Sequence, residues 1–216
     1  MAFHEIDLNT FPRREHVRYF SALAYPYVGV TQRVELTSFL PKLRMRGYPF
    51  FLSFLWCAAK AANAVPELRQ RLRGDRLLEY DVCRTSHTVA KEDGTYCYCT
   101  LSCDMPLESF LPYAAEQQRL ALADATIEES AEEAEELLFV SSMPWLDYQS
   151  LVQPVPMPAD SNPRISWGRF TAHDGKTDMP VTLLCNHALV DGRHLAQFYA
   201  ELDRALLEFA SESGRI

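Results

Sequence analysis

The sequence is short of glycine, with 8 among 216 residues and none of them clustered. Phosphate-cradling glycine loops of the Walker or dinucleotide-binding kind are therefore poorly supported. No G-x-S-x-G occurs, so the nucleophile elbow of a hydrolase is absent. No H-E-x-x-H or comparable dense ligand set occurs, which argues against a metal centre. The cysteines, Cys57, Cys83, Cys97, Cys99, Cys103 and Cys185, include no CxxC pair. Cys97 and Cys99 alternate with Tyr96 and Tyr98, which is strand spacing rather than zinc spacing, and all six read as free, mostly buried thiols. The longest apolar run, Pro49 to Ala59, falls short of the roughly 20 residues that span a bilayer. The first residues carry neither the basic region nor the apolar core of a signal peptide, so a cytoplasmic protein with no membrane partner is expected. Positive charge is also scarce. Lys and Arg number 21 against 29 Asp and Glu, giving a net charge of -8, and no basic stripe offsets it. That balance argues against nucleic acid as a partner.

What is present suits a globular protein: 48% hydrophobic and 23% charged residues. No repeat or linker divides the chain, so residues 1–216 read as a single domain. Strand patterns are expected at Glu5 to Leu8, Tyr25 to Leu36, Leu77 to Tyr80, Thr85 to Ala90, Tyr96 to Ser102 and Leu137 to Ser142. Ile165 to Thr171 and Met179 to Cys185 form a further hairpin pattern around Asp174-Gly175, and Asp93-Gly94 marks another turn. Helices are expected after Pro12 to Phe20, from a Thr37 or Ser38 cap to Arg46, and from Pro49 to Ala64. Pro66 to Leu72, Pro106 to Ala123 and Arg193 to Phe209 also read as helical. Gln153 to Pro163 is a proline-rich loop. The glutamates between Glu128 and Glu136 read as a solvated helix or loop. Strands and helices mix without a regular βαβ beat. An α+β class is expected, a two-layer α/β sandwich with a mixed sheet and packed helices.

The chemistry concentrates in Asn186-His187-Ala188-Leu189-Val190-Asp191-Gly192. An apolar run precedes it and a helical pattern follows. A histidine at the end of a buried strand suits a general base, although a core histidine before an ordinary Asp-Gly turn has the same spacing.

Three separated segments decide between these. Phe11-Pro12-Arg13-Arg14-Glu15-His16, Phe139-Val140-Ser141-Ser142-Met143-Pro144-Trp145 and the 186–192 stretch occur in order and at distances that resemble the type A chloramphenicol acetyltransferases. Tyr48-Pro49-Phe50-Phe51, Pro66-Glu67-Leu68-Arg69, Met179-Pro180-Val181 and His194 are similar to that family as well. HxxxDG alone is shared with dihydrolipoyl acyltransferases; the combination is far more specific.

The resemblance implies an acetyl-CoA-dependent O-acetyltransferase without a metal or a covalent acyl-enzyme. His187 would be the general base and Ser141, rather than Ser142, the donor to the oxyanion. Asp191 would pair with Arg13 to brace the histidine loop, and a partly buried pair of that kind is expected to be bidentate. Ser166 stands where the family has a threonine that helps hold a water. Phe20 and Tyr19 match an aromatic pair and Tyr98 stands where a pocket phenylalanine lies, whereas Gln153 departs, standing where an apolar contact to chloramphenicol is expected. Trp145 is expected to pack and Gly192 to permit the turn. Asn186 replaces a second histidine, and the glutamate run replaces an aromatic, glycine-containing loop. Asn186 would point to the opposite face of the strand and is tolerable there, while the glutamate run and Gln153 bear on the acceptor, for which chloramphenicol leads, rather than on acetyl transfer. The resemblance further implies a homotrimer, with the histidine of one subunit facing its neighbour's acceptor pocket. The alternatives are a dihydrolipoyl acyltransferase core and a catalytically silent trimeric binding protein on the same scaffold.

Overall fold

In a computed structural model of the chain, residues 2–124 and 134–211 are described. The apolar run before His187 forms β10 (Lys176–Asn186), and its last eight residues are buried. Val181, Leu183 and Cys185 face the helices and are fully enclosed. β10 pairs antiparallel with β2 (Tyr27–Glu35) on one side and β8 (Arg164–Trp167) on the other, while β9 (Thr171–His173) extends the pairing at its start. Beyond β8 come β7 (Leu137–Ser142), β5 (Arg84–Ala90) and β6 (Tyr96–Leu101). The β8–β7 and β7–β5 pairs are parallel, so this seven-stranded sheet is mixed. A smaller antiparallel sheet orders β1 (Phe3–Ile6), β4 (Arg76–Tyr80) and β3 (Gln70–Arg73).

Helices make the second layer. α3 (Phe50–Asn63) is apolar over most of its circumference and packs against both α4 (Leu107–Asp124) and α5 (Gly192–Ser211). A helix of that composition belongs in the interior. α5 is amphipathic and buries Leu195, Phe198, Leu202, Leu206 and Phe209 against α3 and α2 (Phe39–Arg46). α1 (Arg14–Phe20) has no buried residue and lies outside this layer. The architecture is the expected α+β sandwich.

Several local expectations change. Residues 66–72 are not one helix: Pro66–Leu68 is a single 3-10 turn and Gln70 begins β3, because Gly74 at φ 61° turns a hairpin there. β1 starts at Phe3 rather than Glu5, in register with Tyr80. Ser38 occupies the N-cap position of α2 without bonding it, and the Thr37 hydroxyl instead accepts the Thr177 amide at 3.0 Å. The strand expected from Ile165 to Thr171 breaks at Gly168, where a Cβ would meet the Leu146 carbonyl at 2.4 Å. Asp174 and Gly175 both take positive φ, as a tight hairpin requires. Most of the glutamate run, 128–133, lies outside the described residues. Of its end, Glu136 is buried and paired with Arg84, not solvated.

A fully buried arginine ties the two sheets together. Arg71 donates to the carbonyls of Leu68, Gln70, Glu135 and Leu137, with its Nη2 also against Cys83 Sγ. It thereby fixes the entry to β7. Removing it strands several buried carbonyls, each costing about 1–3 kcal/mol. Arg71→Met should lower the unfolding free energy by about 3 kcal/mol or more in urea titration. A loss below about 1 kcal/mol would show that those carbonyls find other partners.

Candidate active site

His187 sits in the turn that follows β10. Its backbone amide donates to Pro26 O at 2.7 Å, which pins the turn to the start of β2. Its Nδ1 lies 2.8 Å from Val190 O. A carbonyl can only accept, so Nδ1 carries a proton, and in the neutral ring Nε2 holds the free lone pair. Phe20, the last residue of α1, stacks on the ring at 4.1 Å between centroids. Tyr19 meets Phe20 edge-on and is largely exposed.

Asp191 closes the turn. Its Oδ1 accepts the Arg193 amide at 3.0 Å and so caps the start of α5. Its Oδ2 takes Arg13 Nη1 at 2.5 Å. The expected pairing is therefore found but is not bidentate: Arg13 Nη2 reaches the His187 carbonyl instead, at 3.5 Å. One guanidinium thus bridges Asp191 and the His187 carbonyl. Partial burial pushes the Asp191 carboxyl up, but the Arg13 bond, the Arg193 amide and the neighbouring charges outweigh it and hold it below the usual carboxylate range. The brace is ionised at neutral pH. Gly192 does not serve the turn as expected. It is the first residue of α5, has no left-handed φ, and has open space around it.

Asn186, the departure next to His187, holds the same turn from behind. Its Nδ2 donates to Asp160 O at 2.8 Å and its Oδ1 accepts the Ala188 amide at 3.0 Å. Asp160 in turn takes both Arg164 Nη atoms and the Tyr27 hydroxyl. Nothing in the sequence pointed to Asp160, which lies in the proline-rich loop. His87, which unlike His187 is fully buried, faces α4, where its Nε2 meets Gln118 at 2.9 Å. Burial lowers its pKa to about 4, so it is a neutral core group.

The remaining candidates gather elsewhere. A cavity of about 530 Å³ is lined by Ser141, Ser166, Gln153 and Tyr98, together with Thr88 and Phe139 among others. Ser142 does not line it, which separates it from Ser141. Ser141 stands opposite Ser166 across β7 and β8, Ser166 opposite Thr182, and Thr182 opposite Thr31. Directly opposed residues share a face, so these hydroxyls form a row on the side away from the helices. Ser166 Oγ donates to Gln153 Oε1 at 3.2 Å. The Ser141 hydroxyl has no partner among the described residues. Trp145, expected to pack, is 75% exposed, and Val152, which lines the cavity, is 91% exposed.

The two groups do not meet. His187 follows Thr182 of the hydroxyl row by five residues. At about 3.3 Å per residue that is roughly 16 Å along the strand, before the two-strand step to β7. His187, Arg13, Asp191, Phe20 and Tyr19 form one cluster; Ser141, Ser166, Gln153 and Tyr98 form another.

The protein-family model described as chloramphenicol acetyltransferase matches residues 1–203. Chloramphenicol acetyltransferase 2 of Escherichia coli is 27% identical over 205 residues, covering 92% of this chain and 94% of that protein. A solved chloramphenicol acetyltransferase superposes with a TM-score of 0.82 at 24% identity, covering 95% of this chain and 100% of the other. A probable dihydrolipoamide acetyltransferase from Listeria monocytogenes 4b F2365 shares the fold, with a TM-score of 0.67 at 14% identity over 97% of each chain. The chain is an acyltransferase with acetyl-CoA as co-substrate, and it belongs to the chloramphenicol acetyltransferase family.

Proposed function

We propose that this protein transfers acetyl directly from acetyl-CoA to the hydroxyl of a small acceptor, with His187 as general base and the site shared between subunits. The observation that carries the reading is the fixed tautomer of His187. Its Nδ1–H is committed to Val190 O, so in the neutral ring Nε2 is the nitrogen able to take a proton. In the proposed step Nε2 accepts the acceptor's hydroxyl proton as that oxygen bonds to the thioester carbonyl carbon. The carbonyl oxygen becomes an oxyanion, to which the Ser141 hydroxyl donates. Collapse breaks the carbon–sulfur bond, and the CoA thiolate leaves with the proton held by His187. Phe20 keeps the ring in plane through the cycle, and the Arg13–Asp191 pair keeps the turn in place.

The separation of the two clusters supports a homotrimer. A cyclic head-to-tail contact would bring the histidine of one subunit to the hydroxyl row of the next. Exposed apolar groups lie on both borders, Tyr19 and Tyr25 beside the histidine and Trp145, Leu146 and Val152 beside the cavity. Such groups need cover. Ser166 and Gln153 would line the acceptor pocket with Tyr98 opposite. Chloramphenicol is the first acceptor to test, because the pocket combines aromatic walls with one hydroxyl edge.

Thiol release from acetyl-CoA should be detected with chloramphenicol or with another alcohol in a panel. His187→Ala should lower kcat by about 10³-fold or more, and full activity in that variant would sink the reading. Ser141→Ala should cost about 10²–10³-fold in kcat with little change in KM, whereas Ser142→Ala should cost little. Arg13→Lys keeps the charge but cannot span both Asp191 and the His187 carbonyl. Its kcat should fall by about 10- to 100-fold, since a small displacement of the base is enough. Wild-type kcat in Arg13→Lys would show that the bridge does not position the histidine.

A further inference from the structure

The peptide that joins Val190 to Asp191 has a histidine at each end. Its carbonyl accepts His187 Nδ1–H at 2.8 Å, and its N–H donates to His194 Nδ1 at 3.1 Å. The partners fix both tautomers. A carbonyl has no proton to give, so His187 carries its proton on Nδ1. An amide nitrogen cannot accept, so His194 is bare at Nδ1 and carries its proton on Nε2. That Nε2 lies 3.6 Å from Glu67 Oε1, long for a hydrogen bond but close enough for charge to act. Glu67 comes from the 3-10 turn Pro66–Leu68, and His194 from the first turn of α5. Both side chains are largely enclosed, at 12% and 26% exposure.

We infer that His194 and Glu67 are positioning residues for the reaction, acting on His187 through the Val190–Asp191 peptide. The inference rests on His187 as the base. When Nε2 takes the acceptor's proton, the ring becomes cationic and Nδ1–H leans harder on the Val190 carbonyl. The peptide polarises, its N–H becomes a stronger donor, and His194 receives it with the Glu67 carboxylate behind. Hydrogen bonds in such a chain reinforce one another. No proton moves beyond His187 Nε2. The arrangement does what a carboxylate does behind a catalytic histidine, with one peptide unit interposed.

The charged groups around His194 set its limits. Glu67 faces it from the 3-10 turn, and Arg193 and Glu201 line the same cleft from its own helix. Asp191 Oδ1 lies 3.2 Å from its Nδ1, with Arg13 on the far oxygen. A proton on Nδ1 would be drawn to that carboxylate and not to the peptide, so the link to the Val190–Asp191 peptide uses the Nε2–H tautomer.

The test compares the whole enzyme with Glu67→Gln, His194→Asn and His194→Phe. It reads kinetics with acetyl-CoA and chloramphenicol, the pH profile of kcat/KM, and the ¹⁵N shifts of the His187 ring. Thermal unfolding checks that each variant is folded. Glu67→Gln should lower kcat a few-fold, leave KM for acetyl-CoA within about twofold, and move the acid limb of kcat/KM to lower pH. His194→Asn returns an acceptor to the Asp191 amide without the link to Glu67, and should match Glu67→Gln. His194→Phe removes both, should cost about 10²-fold in kcat, and should let His187 populate the Nε2–H tautomer. An unmoved acid limb with His187 still Nδ1–H in all the folded variants would overturn the proposal. The ring shifts need no turnover, so they decide this point even if His187→Ala shows the base reading itself to be wrong.

Discussion

The Asp191 carboxylate takes Arg13 on one oxygen and the Arg193 amide, in the first turn of α5, on the other. Three distant parts of the chain meet there: the start of α1, the turn after β10, and the terminal helix. The pair is only partly enclosed, with 15% and 35% side-chain exposure, so solvent screens it and its contribution to stability is modest. Its weight lies in geometry. Arg13 also touches the His187 carbonyl, and the Asp191 amide belongs to the peptide whose carbonyl holds the His187 ring. Each contact on Asp191 therefore constrains the orientation of one imidazole.

The second constraint is the length of β10. The strand is buried along most of its run because it lies between neighbours on both sides under the helical layer. Rigidity of that kind fixes the histidine turn at its end and the hydroxyl row midway along it, and does not let them approach. On the proposed reading the chain gains a well-held base and a well-held oxyanion donor and leaves their meeting to symmetry. The exposed aromatic groups on both borders then have a use that a lone chain would not give them.

Long periodic signals were legible in the sequence: α3 and α5 from their apolar faces, β10 from its apolar run, and the hairpins from Asp93-Gly94 and Asp174-Gly175. Short elements were less so. Pro66 to Leu72 carries helical spacing, yet edge pairing with β4 wins from Gln70 onward. Gly168 reads as an ordinary strand glycine until the Leu146 carbonyl above it is seen. Among the site residues, the Arg13–Asp191 pairing was implied by the family resemblance, but its bridging geometry was not. The part played by Asn186 depends on Asp160, which no local pattern marks. His194 lies three residues after Asp191, the spacing of helix neighbours, and that spacing was the available signal for its bond.

The central claim is that one catalytic centre draws on two chains, and subunit mixing tests it most directly. His187→Ala and Ser141→Ala chains, each nearly inactive alone, would be co-expressed and allowed to assemble together. In a cyclic trimer with shared sites, each mixed assembly regains one intact pairing of His187 with Ser141. Random assortment should then restore about a quarter of wild-type thiol release. Activity no higher than the mean of the two single variants would contradict the account and put both residues to work within one chain.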